Sequence, residues 1–291
     1  MSVQRRPQWL KVRLAGGKVF REVRELIDND QLHTVCQSAR CPNIGDCWSR
    51  RTATFMILGD ICTRNCKFCA VQTGRPNLPD CKEPVRVAEA VKKLNLRHAV
   101  ITSVTRDDLK DGGGQIFVQT IREIRKTSPD CSIEVLIPDF NGNLEALEKV
   151  FQAKPDILNH NLEVAPRLYP KARAQADFIR SLNILLEAKK RGLVSKTGIM
   201  IGLGETRDEV IDLINKLVEI RLDILTIGQY LQPTANHLPV EKFYSPKEFT
   251  EFKRIGESLG IKHVESGPLV RSSYHADAQI DKLASAKVSA S

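Results

Sequence analysis

The pattern of hydrophobic and polar residues is regular between about residue 52 and residue 262. Short apolar runs alternate there with amphipathic stretches, which is typical of βα units around a parallel sheet. Most of these runs are β-branched or continuously apolar, as expected for strands that are buried on both faces. The predicted strands span residues 54–58, 99–104, 133–137, 157–162, 197–203 and 224–230.

The stretches between these runs carry helix-start signals. Thr206 and Glu209 have the spacing of a capping box, in which each side chain bonds a free backbone N–H. Ser245, Pro246 and Glu248 begin another helix, with proline at the first helical position. Six such units predict an α/β fold: a partial (β/α)6 TIM-like barrel over residues 52–262, with N-terminal and C-terminal extensions.

The two ends of the chain lack the βα repeat. Residues 1–51 show one helical stretch near residues 22–27, and we expect this extension to fold across the mouth of the barrel. Residues 263–291 form the C-terminal extension, and its last ten residues are expected to be loose. The first twenty residues have scattered charges and no apolar segment, so no secretory leader is predicted.

Six of the eight cysteines lie in two short triplets. Cys62, Cys66 and Cys69 have the spacing C-x3-C-x2-C, which places three thiolates on one loop. Iron–sulfur clusters are usually held by four cysteines, and an open metal position is a feature of catalytic rather than structural sites. A zinc knuckle is the alternative, but zinc sites usually pair C-x2-C with a second such pair, which this sequence lacks.

The upstream triplet, Cys36, Cys41 and Cys47, has the spacing C-x4-C-x5-C. Disulfides are the alternative interpretation, but a chain of 291 residues builds a full core without them. Two incomplete triplets close together indicate two iron–sulfur clusters. Cys81 and Cys131 have no partner spacing and are interpreted as structural or surface thiols.

Composition limits the class of protein. The hydrophobic content of 42% is ordinary for a globular chain, and no apolar run is long enough to span a membrane. The formal charge of +9 favours acidic partners. Nucleic acid is not expected, because aromatic residues make up 5% and no basic block is present; a generally basic solvated surface is the alternative. Free thiols predict a cytoplasmic location.

Two resemblances to known families follow from these motifs. The loop from Cys62 to Cys69, with Phe68 before the last cysteine, resembles that of radical S-adenosylmethionine (SAM) enzymes. The pair of triplets, together with residues 7–11 (PQWLK) and residues 271–276 (RSSYHA), resembles the lipoyl synthase family across nearly the whole chain. Biotin synthases are the nearest alternative, but their auxiliary ligands are spread along the barrel.

The second resemblance implies two [4Fe-4S] clusters. One would be held by the downstream triplet and bind SAM at its open iron. The other, auxiliary cluster would be held by the upstream triplet and by the hydroxyl of Ser273. A hard oxygen ligand is weaker than a thiolate for such a cluster, so this corner should be labile. The residues alone favour a cap or a turn for Ser272 and Ser273.

Further SAM contacts are expected where barrel active sites lie, at the carboxyl ends of the strands. Phe68 belongs to the cluster loop, and Gly113 follows the second predicted strand within a glycine triplet. Asn161 and Glu163 end the fourth strand and would hold the ribose, while Arg173 would pair with the methionine carboxylate. Turn formation, packing and helix capping are the alternatives for these residues.

The implied reaction inserts two sulfur atoms, at carbons six and eight, into an octanoyl chain on a lysine of a carrier protein or domain. An alkyl C–H bond is not acidic, so general-base catalysis cannot break it and a radical from the cofactor must do so. A low-potential electron donor such as ferredoxin or flavodoxin is implied. A non-catalytic iron–sulfur electron carrier is the alternative from another class.

Overall fold

The computed structural model describes residues 6–12 and 16–276, so the predicted loose tail lies outside the described residues. Short 3-10 helices span Gln8–Leu10, Phe140–Gly142 and Pro166–Leu168. The helices are α1 (Lys18–Asn29), α2 (Val35–Ser38), α3 (Ile44–Ser49), α4 (Glu83–Lys93), α5 (Gly114–Thr127), α6 (Leu144–Gln152), α7 (Tyr169–Ala172), α8 (Phe178–Lys190), α9 (Arg207–Glu219) and α10 (Pro246–Ser258). The strands are β1 (His33–Thr34), β2 (Thr54–Ile57), β3 (Ile61–Cys62), β4 (Gln72–Thr73), β5 (His98–Ser103), β6 (Ser132–Leu136), β7 (Ile157–Asn159), β8 (Val194–Ile201), β9 (Ile224–Gln229) and β10 (His263–Gly267).

The main sheet follows the order of the chain. Strands β2, β5, β6, β7, β8, β9 and β10 are neighbours in that order and pair in parallel, while the short β1 pairs antiparallel with β2. A helix lies between each parallel strand and the next, which makes consecutive βα units. The predicted partial barrel is therefore confirmed.

All six predicted strands are present; four agree with the prediction to within one residue at each end, two differ by more, and one further strand was not predicted. The predicted strand 157–162 ends at Asn159, and the predicted strand 197–203 begins earlier, at Val194. The prediction missed β10, which pairs with β9 from His263 to Gly267. Its sequence, HVESG, has little of the continuous apolar character that marks the other strands. This part of the predicted C-terminal extension is a strand of the main sheet.

The N-terminal extension packs against the first strands of the barrel. Val23 and Ile27 of α1 are fully buried and share a core cluster with Phe55 of β2 and with Trp48. The rings of Phe20 and Trp48 lie 5.3 Å apart between centroids. Burial of this apolar surface holds the segment that carries the upstream triplet. No helix in the described part of the chain is long and apolar enough to cross a membrane.

The predicted capping box at the start of α9 is confirmed, and α10 has one as well. Thr206 accepts a hydrogen bond from the N–H of Glu209 at the start of α9, and the Glu209 side chain bonds the N–H of Thr206. Ser245 and Glu248 make the same reciprocal pair at the start of α10. These pairs satisfy N–H groups that the first helical turn leaves free.

A buried ionic group joins the neighbouring strands β5, β6, β7 and β8, away from the residues that line the cavity described below. Lys196 Nζ donates to Glu134 Oε2 at 2.9 Å, and neither side chain is exposed. Asn159 Nδ2 donates to Glu134 Oε1 at 2.8 Å, and His98 Nε2 lies 3.5 Å from Glu134 Oε2. Burial alone would raise the pKa of Glu134, but Lys196 and His98 outweigh it and hold the pKa at about 2. We call these four residues the floor group.

Candidate active site

A cavity of about 550 Å³ lies at the carboxyl ends of the barrel strands. Its lining includes Ser103 at the end of β5, Leu136 at the end of β6 and Met200 near the end of β8. The cysteines in the described part of the chain form no disulfide. The lining brings together the seven residues predicted as cluster ligands: Cys36, Cys41, Cys47, Cys62, Cys66, Cys69 and Ser273.

The loop of the downstream triplet, which joins β3 to β4, is fixed by a buried arginine. Arg64 Nε and Nη2 donate to the two carboxylate oxygens of Asp107 at 2.7 and 2.8 Å. Arg64 Nη2 also lies 2.7 Å from Asp139 Oδ1. Asp107 follows β5 and Asp139 follows β6, so two neighbouring strands hold this loop. The backbone N–H of Arg64 donates to Cys62 Sγ at 3.4 Å.

Burial disfavours the thiolate form of two downstream cysteines, Cys66 and Cys69. Burial raises the pKa of Cys66 to about 11, and burial together with the nearby Cys66 and Glu163 raises the pKa of Cys69 to about 12. A bound metal ion favours the thiolate form instead, because a thiol that coordinates a metal loses its proton. No three described His, Cys, Asp or Glu side chains converge as a single metal ion requires. In a cubane, each thiolate binds a separate iron, and three soft thiolates fit that demand.

The upstream triplet is carried by two short helices. Cys36 lies on α2, whose first turn is capped by the Thr34 hydroxyl accepting from Gln37 N at 3.3 Å. The N–H of Cys41 donates to the carbonyl of Cys36 at 3.0 Å, and Cys47 lies on α3. Burial raises the pKa of Cys36 to about 11, and burial with repulsion from the other two thiols raises that of Cys47 to about 12.

Ser273 lines the same cavity as this triplet, and long-range hydrogen bonds hold its segment there. Thr54 Oγ1 donates to Ser273 Oγ at 2.8 Å across 219 residues of sequence. Asn43 Nδ2 donates to the carbonyl of Leu269 at 2.7 Å, which joins the upstream triplet segment to the C-terminal segment. Ser272 lines the same cavity. Three thiols and a nearby hydroxyl are a donor set that fits an iron–sulfur cluster with one oxygen ligand.

The predicted SAM contacts after β7 also line the cavity. Asn161 Nδ2 donates to Glu163 Oε1 at 3.1 Å, and Arg173 Nη1 donates to the carbonyl of Asn161 at 2.9 Å. The backbone bulges here, because residues 160–163 span only residues 196–198 of β8. Glu163 has a φ of 67°, which a bulky residue adopts rarely. Burial raises the pKa of Glu163, although Arg173 and Asn161 oppose the effect.

Two atoms of this group are left for a ligand. Among the described residues, the buried Arg173 Nε and Asn161 Oδ1 have no hydrogen-bond partner. One is a donor with positive charge and the other is an acceptor, which fits a zwitterionic ligand such as the methionine part of SAM. An unpaired buried polar atom is costly, so a ligand that satisfies both gains affinity.

Phe68 and Gly113 are placed differently. Phe68 lines the cavity and packs against the apolar group that contains Tyr169 and Tyr230. Gly113 is not among the lining residues, and it caps α5 with a φ of 90°. A Cβ at this position would overlap the Leu58 side chain, which is a structural reason for glycine. The role of Gly113 toward SAM stays a prediction.

Several arginines of the cavity carry no motif of their own in the sequence. Arg6, Arg40 and Arg271 line it together with Arg173. Burial lowers the pKa of Arg271, while the nearby Cys41 and Glu163 favour its charged form. Arg271 therefore lies between the upstream triplet and the predicted SAM contacts. Arg271 belongs to the RSSY segment, which is a sequence signal for it. The sequence analysis predicts a role only for a serine of that segment.

Comparison with known proteins agrees with this geometry. The family model for the radical SAM superfamily matches residues 56–217. A lipoyl synthase of Rubrobacter xylanophilus is 56% identical over 278 residues, covering 95% of this chain and 87% of its own. A lipoyl synthase of Caldanaerobacter subterraneus is 54% identical over 275 residues, covering 94% and 96%. The crystal structure of methylornithine synthase matches the fold with a TM-score of 0.54 at 16% identity, covering 89% of this chain and 86% of its own.

The fold and the site therefore define a member of the radical SAM superfamily. Such proteins use a [4Fe-4S] cluster and SAM. Within the superfamily, the chain belongs to the lipoyl synthase family, because the identity extends over nearly its whole length.

Proposed function

We propose that the chain inserts two sulfur atoms into a protein-bound octanoyl-lysine, with the two cysteine triplets holding its two clusters. Membership of the lipoyl synthase family supports the activity. The observation that carries the residue assignment is the shared cavity, which both triplets and Ser273 line. When bound, SAM and its cluster supply a radical that breaks C–H bonds, and the auxiliary cluster supplies sulfur.

The downstream triplet binds the cluster that takes SAM. Cys62, Cys66 and Cys69 supply three thiolates, which leaves one iron of a cubane open for the cofactor. Arg64 holds this loop rigid against Asp107 and Asp139, so the open corner keeps a constant position relative to the strands.

The group after β7 orients SAM at that corner. Arg173 presents its free Nε to the methionine carboxylate, and Asn161 presents its free Oδ1 to an N–H or O–H of the cofactor. Glu163 lies between them through its bond with Asn161.

The auxiliary cluster is held by Cys36, Cys41, Cys47 and the Ser273 hydroxyl. Its position on the same cavity allows a substrate carbon to reach sulfur without leaving the site. The substrate chain lies against apolar lining residues, because an alkyl chain gains nothing from polar walls. These lining residues include Met56, Val104, Leu136, Ile137 and Met200.

The substrate reaches the cavity on an octanoylated carrier protein or domain, whose lysine arm enters from the mouth. A reduced ferredoxin or flavodoxin supplies the electrons. This chain has a formal charge of +9, so it attracts acidic partner proteins. An acidic carrier or an acidic electron donor would benefit from this attraction. Its free thiols suit a reducing compartment such as the cytosol.

The decisive experiment is anaerobic reconstitution with iron and sulfide, followed by incubation with dithionite, SAM and an octanoyl-lysine peptide. Mass spectrometry should detect 5′-deoxyadenosine and a peptide that carries two added sulfur atoms. Intact SAM would indicate an electron carrier instead. Cleaved SAM with an unchanged peptide would contradict sulfur insertion.

A further inference from the structure

The segment that follows β9 lies on the cluster loop. We define residues 231–238 as the strap. At its start, Leu231, Gln232 and Pro233 line the cavity. At its end, the N–H of Leu238 donates to the carbonyl of Lys67 at 3.0 Å, within the loop of the downstream triplet. The strap therefore connects the cavity wall with the backbone of that loop.

A histidine in the strap contacts the last cysteine of the loop. His237 Nε2 lies 2.9 Å from the backbone carbonyl oxygen of Cys69. A carbonyl oxygen can only accept, so Nε2 carries the proton. His237 Nδ1 lies 2.8 Å from Thr234 Oγ1, and in the neutral ring it accepts from that hydroxyl. The hydroxyl of Thr234 thus fixes the ring in the tautomer that donates to Cys69.

The strap is itself held in place. Tyr230 Oη donates to the carbonyl of Leu238 at 2.7 Å, and Gln232 Nε2 donates to the carbonyl of His237 at 2.9 Å. His237 is half-buried, so water competes only partly for its N–H. The His237 side chain is therefore held in position by its neighbours when it donates to the Cys69 carbonyl.

The two ends of the cluster loop are fixed by different means. The ion pairs of Arg64 with Asp107 and Asp139 hold the loop near Cys62 and Cys66. Near Cys69, the Lys67 and Cys69 carbonyls are bonded by the strap. Hydrogen bonds and dipoles around a cluster stabilise its electron-rich, reduced form and so raise its reduction potential.

We propose that His237 is a positioning residue that sets the orientation of the Cys69 ligand and favours reduction of its cluster. It acts through the Cys69 peptide and is not among the residues that line the cavity. This inference rests on the proposed assignment of Cys62, Cys66 and Cys69 to the SAM-binding cluster. The proposed role depends on a single N–H group of His237, which a substitution can either remove or retain.

The test uses a parent protein in which Cys36, Cys41 and Cys47 are changed to Ala, so that one cluster remains. In this parent, H237L removes the donor, and H237Q keeps an N–H at similar reach. T234V removes the hydroxyl that fixes the tautomer. H263L serves as the control, because His263 at the start of β10 does not line the cavity. The measurements are iron content, midpoint potential by EPR-monitored titration, and kcat and KM for SAM cleavage.

H237L should lower the midpoint potential and reduce kcat by about 10-fold, with KM for SAM changed less than 2-fold, as expected for loss of an outer contact to a ligand. H237Q should resemble the parent, T234V should shift the potential less than H237L in the same direction, and H263L should have no effect. The inference would be overturned if iron-loaded H237L had the same midpoint potential as the parent protein. It would also be overturned if H237Q lowered the midpoint potential and kcat as much as H237L does.

If H237L loses its iron, its midpoint potential cannot be measured, and the comparison of H237Q with T234V tests the inference instead. The inference is supported if the midpoint potential is lowered in T234V and equals that of the parent protein in H237Q. It is overturned if both variants have the midpoint potential of the parent protein. Failure of the parent itself to bind iron or cleave SAM would overturn the ligand assignment and, with it, this inference. An unchanged potential in H237L refutes the role of His237 alone.

Discussion

The mouth and the floor of the barrel both bury polar groups, but they do so for different reasons. At the floor, opposite charges meet: Lys196 Nζ lies 2.9 Å from Glu134 Oε2, and neither side chain is exposed. At the mouth, six thiols of like chemistry line one cavity, and burial raises the pKa of several of them. The floor pairs its buried charges Lys196 and Glu134 within the protein, whereas the mouth is expected to ionise its thiols only on binding metal. In barrels of this kind, the carboxyl end carries the chemistry and the amino end carries stability.

The largest effect expected at the mouth comes from the two triplets. Changing Cys62, Cys66 and Cys69 to Ala should halve the iron of about eight atoms per chain and abolish 5′-deoxyadenosine formation. Changing Cys36, Cys41 and Cys47 to Ala should also halve the iron but leave SAM cleavage measurable. Iron analysis and chromatography of the nucleoside check both expectations. Saturation of the unmodified protein at one cluster would contradict the two-cluster assignment.

The next effect should come from Ser273. Replacement by Ala removes the hydroxyl that accepts from Thr54 and should strongly reduce sulfur insertion while sparing SAM cleavage. Replacement by Cys should make the auxiliary cluster more resistant to loss, because thiolate binds iron more firmly than a hydroxyl does. Product mass spectrometry and iron retention are the measurements. The matched control is Ser272→Ala; if that variant alone loses insertion, the ligand is Ser272.

A floor variant should change stability rather than chemistry. Glu134→Gln leaves Lys196 buried without its counter-ion and should lower the free energy of unfolding by about 3–5 kcal/mol. Replacing both residues, Glu134→Leu with Lys196→Met, should restore much of that loss. Urea denaturation measures both, and SAM cleavage per folded molecule should stay unchanged. A cleavage defect without a stability defect would break the distinction between mouth and floor.

The floor also predicts a pH dependence. The folded pKa of Glu134, about 2, lies below the unfolded value of about 4.3. Its stabilising contribution is therefore fully present above the unfolded pKa and is lost as pH falls from there toward the folded pKa. The stability gap between the unmodified protein and Glu134→Gln should narrow between about pH 5 and pH 3. A gap that stays constant over this range would show that the Glu134 charge contributes nothing.

The smallest expected effect concerns recognition outside the mouth. If the charge of +9 steers an acidic carrier, the intact carrier should react faster than a short neutral octanoyl-lysine peptide at low salt. The difference should shrink at high salt, because the Debye length is already about 8 Å at physiological ionic strength. Initial rates at several salt concentrations measure it. Equal, salt-independent rates would mean that the arm alone is recognised.

The sequence by itself determined the local spacing of the predicted cluster ligands and most of the barrel. Cysteine triplets such as Cys62, Cys66 and Cys69 are set by short stretches of chain, and continuous apolar runs mark strands buried on both faces. It did not reveal β10, since HVESG has a mixed pattern and becomes a strand only by pairing with β9.

Only the tertiary structure decided which distant residues meet. Parallel strands bring their carboxyl ends to one edge, where the downstream triplet lies, and packing of the N-terminal and C-terminal segments adds the upstream triplet and Ser273 to the same cavity. The bond from Thr54 to Ser273 spans 219 residues, and the contact of His237 with Cys69 spans 168. No local pattern encodes such pairs, because they form through the register of the whole sheet and the paths of the loops that leave it.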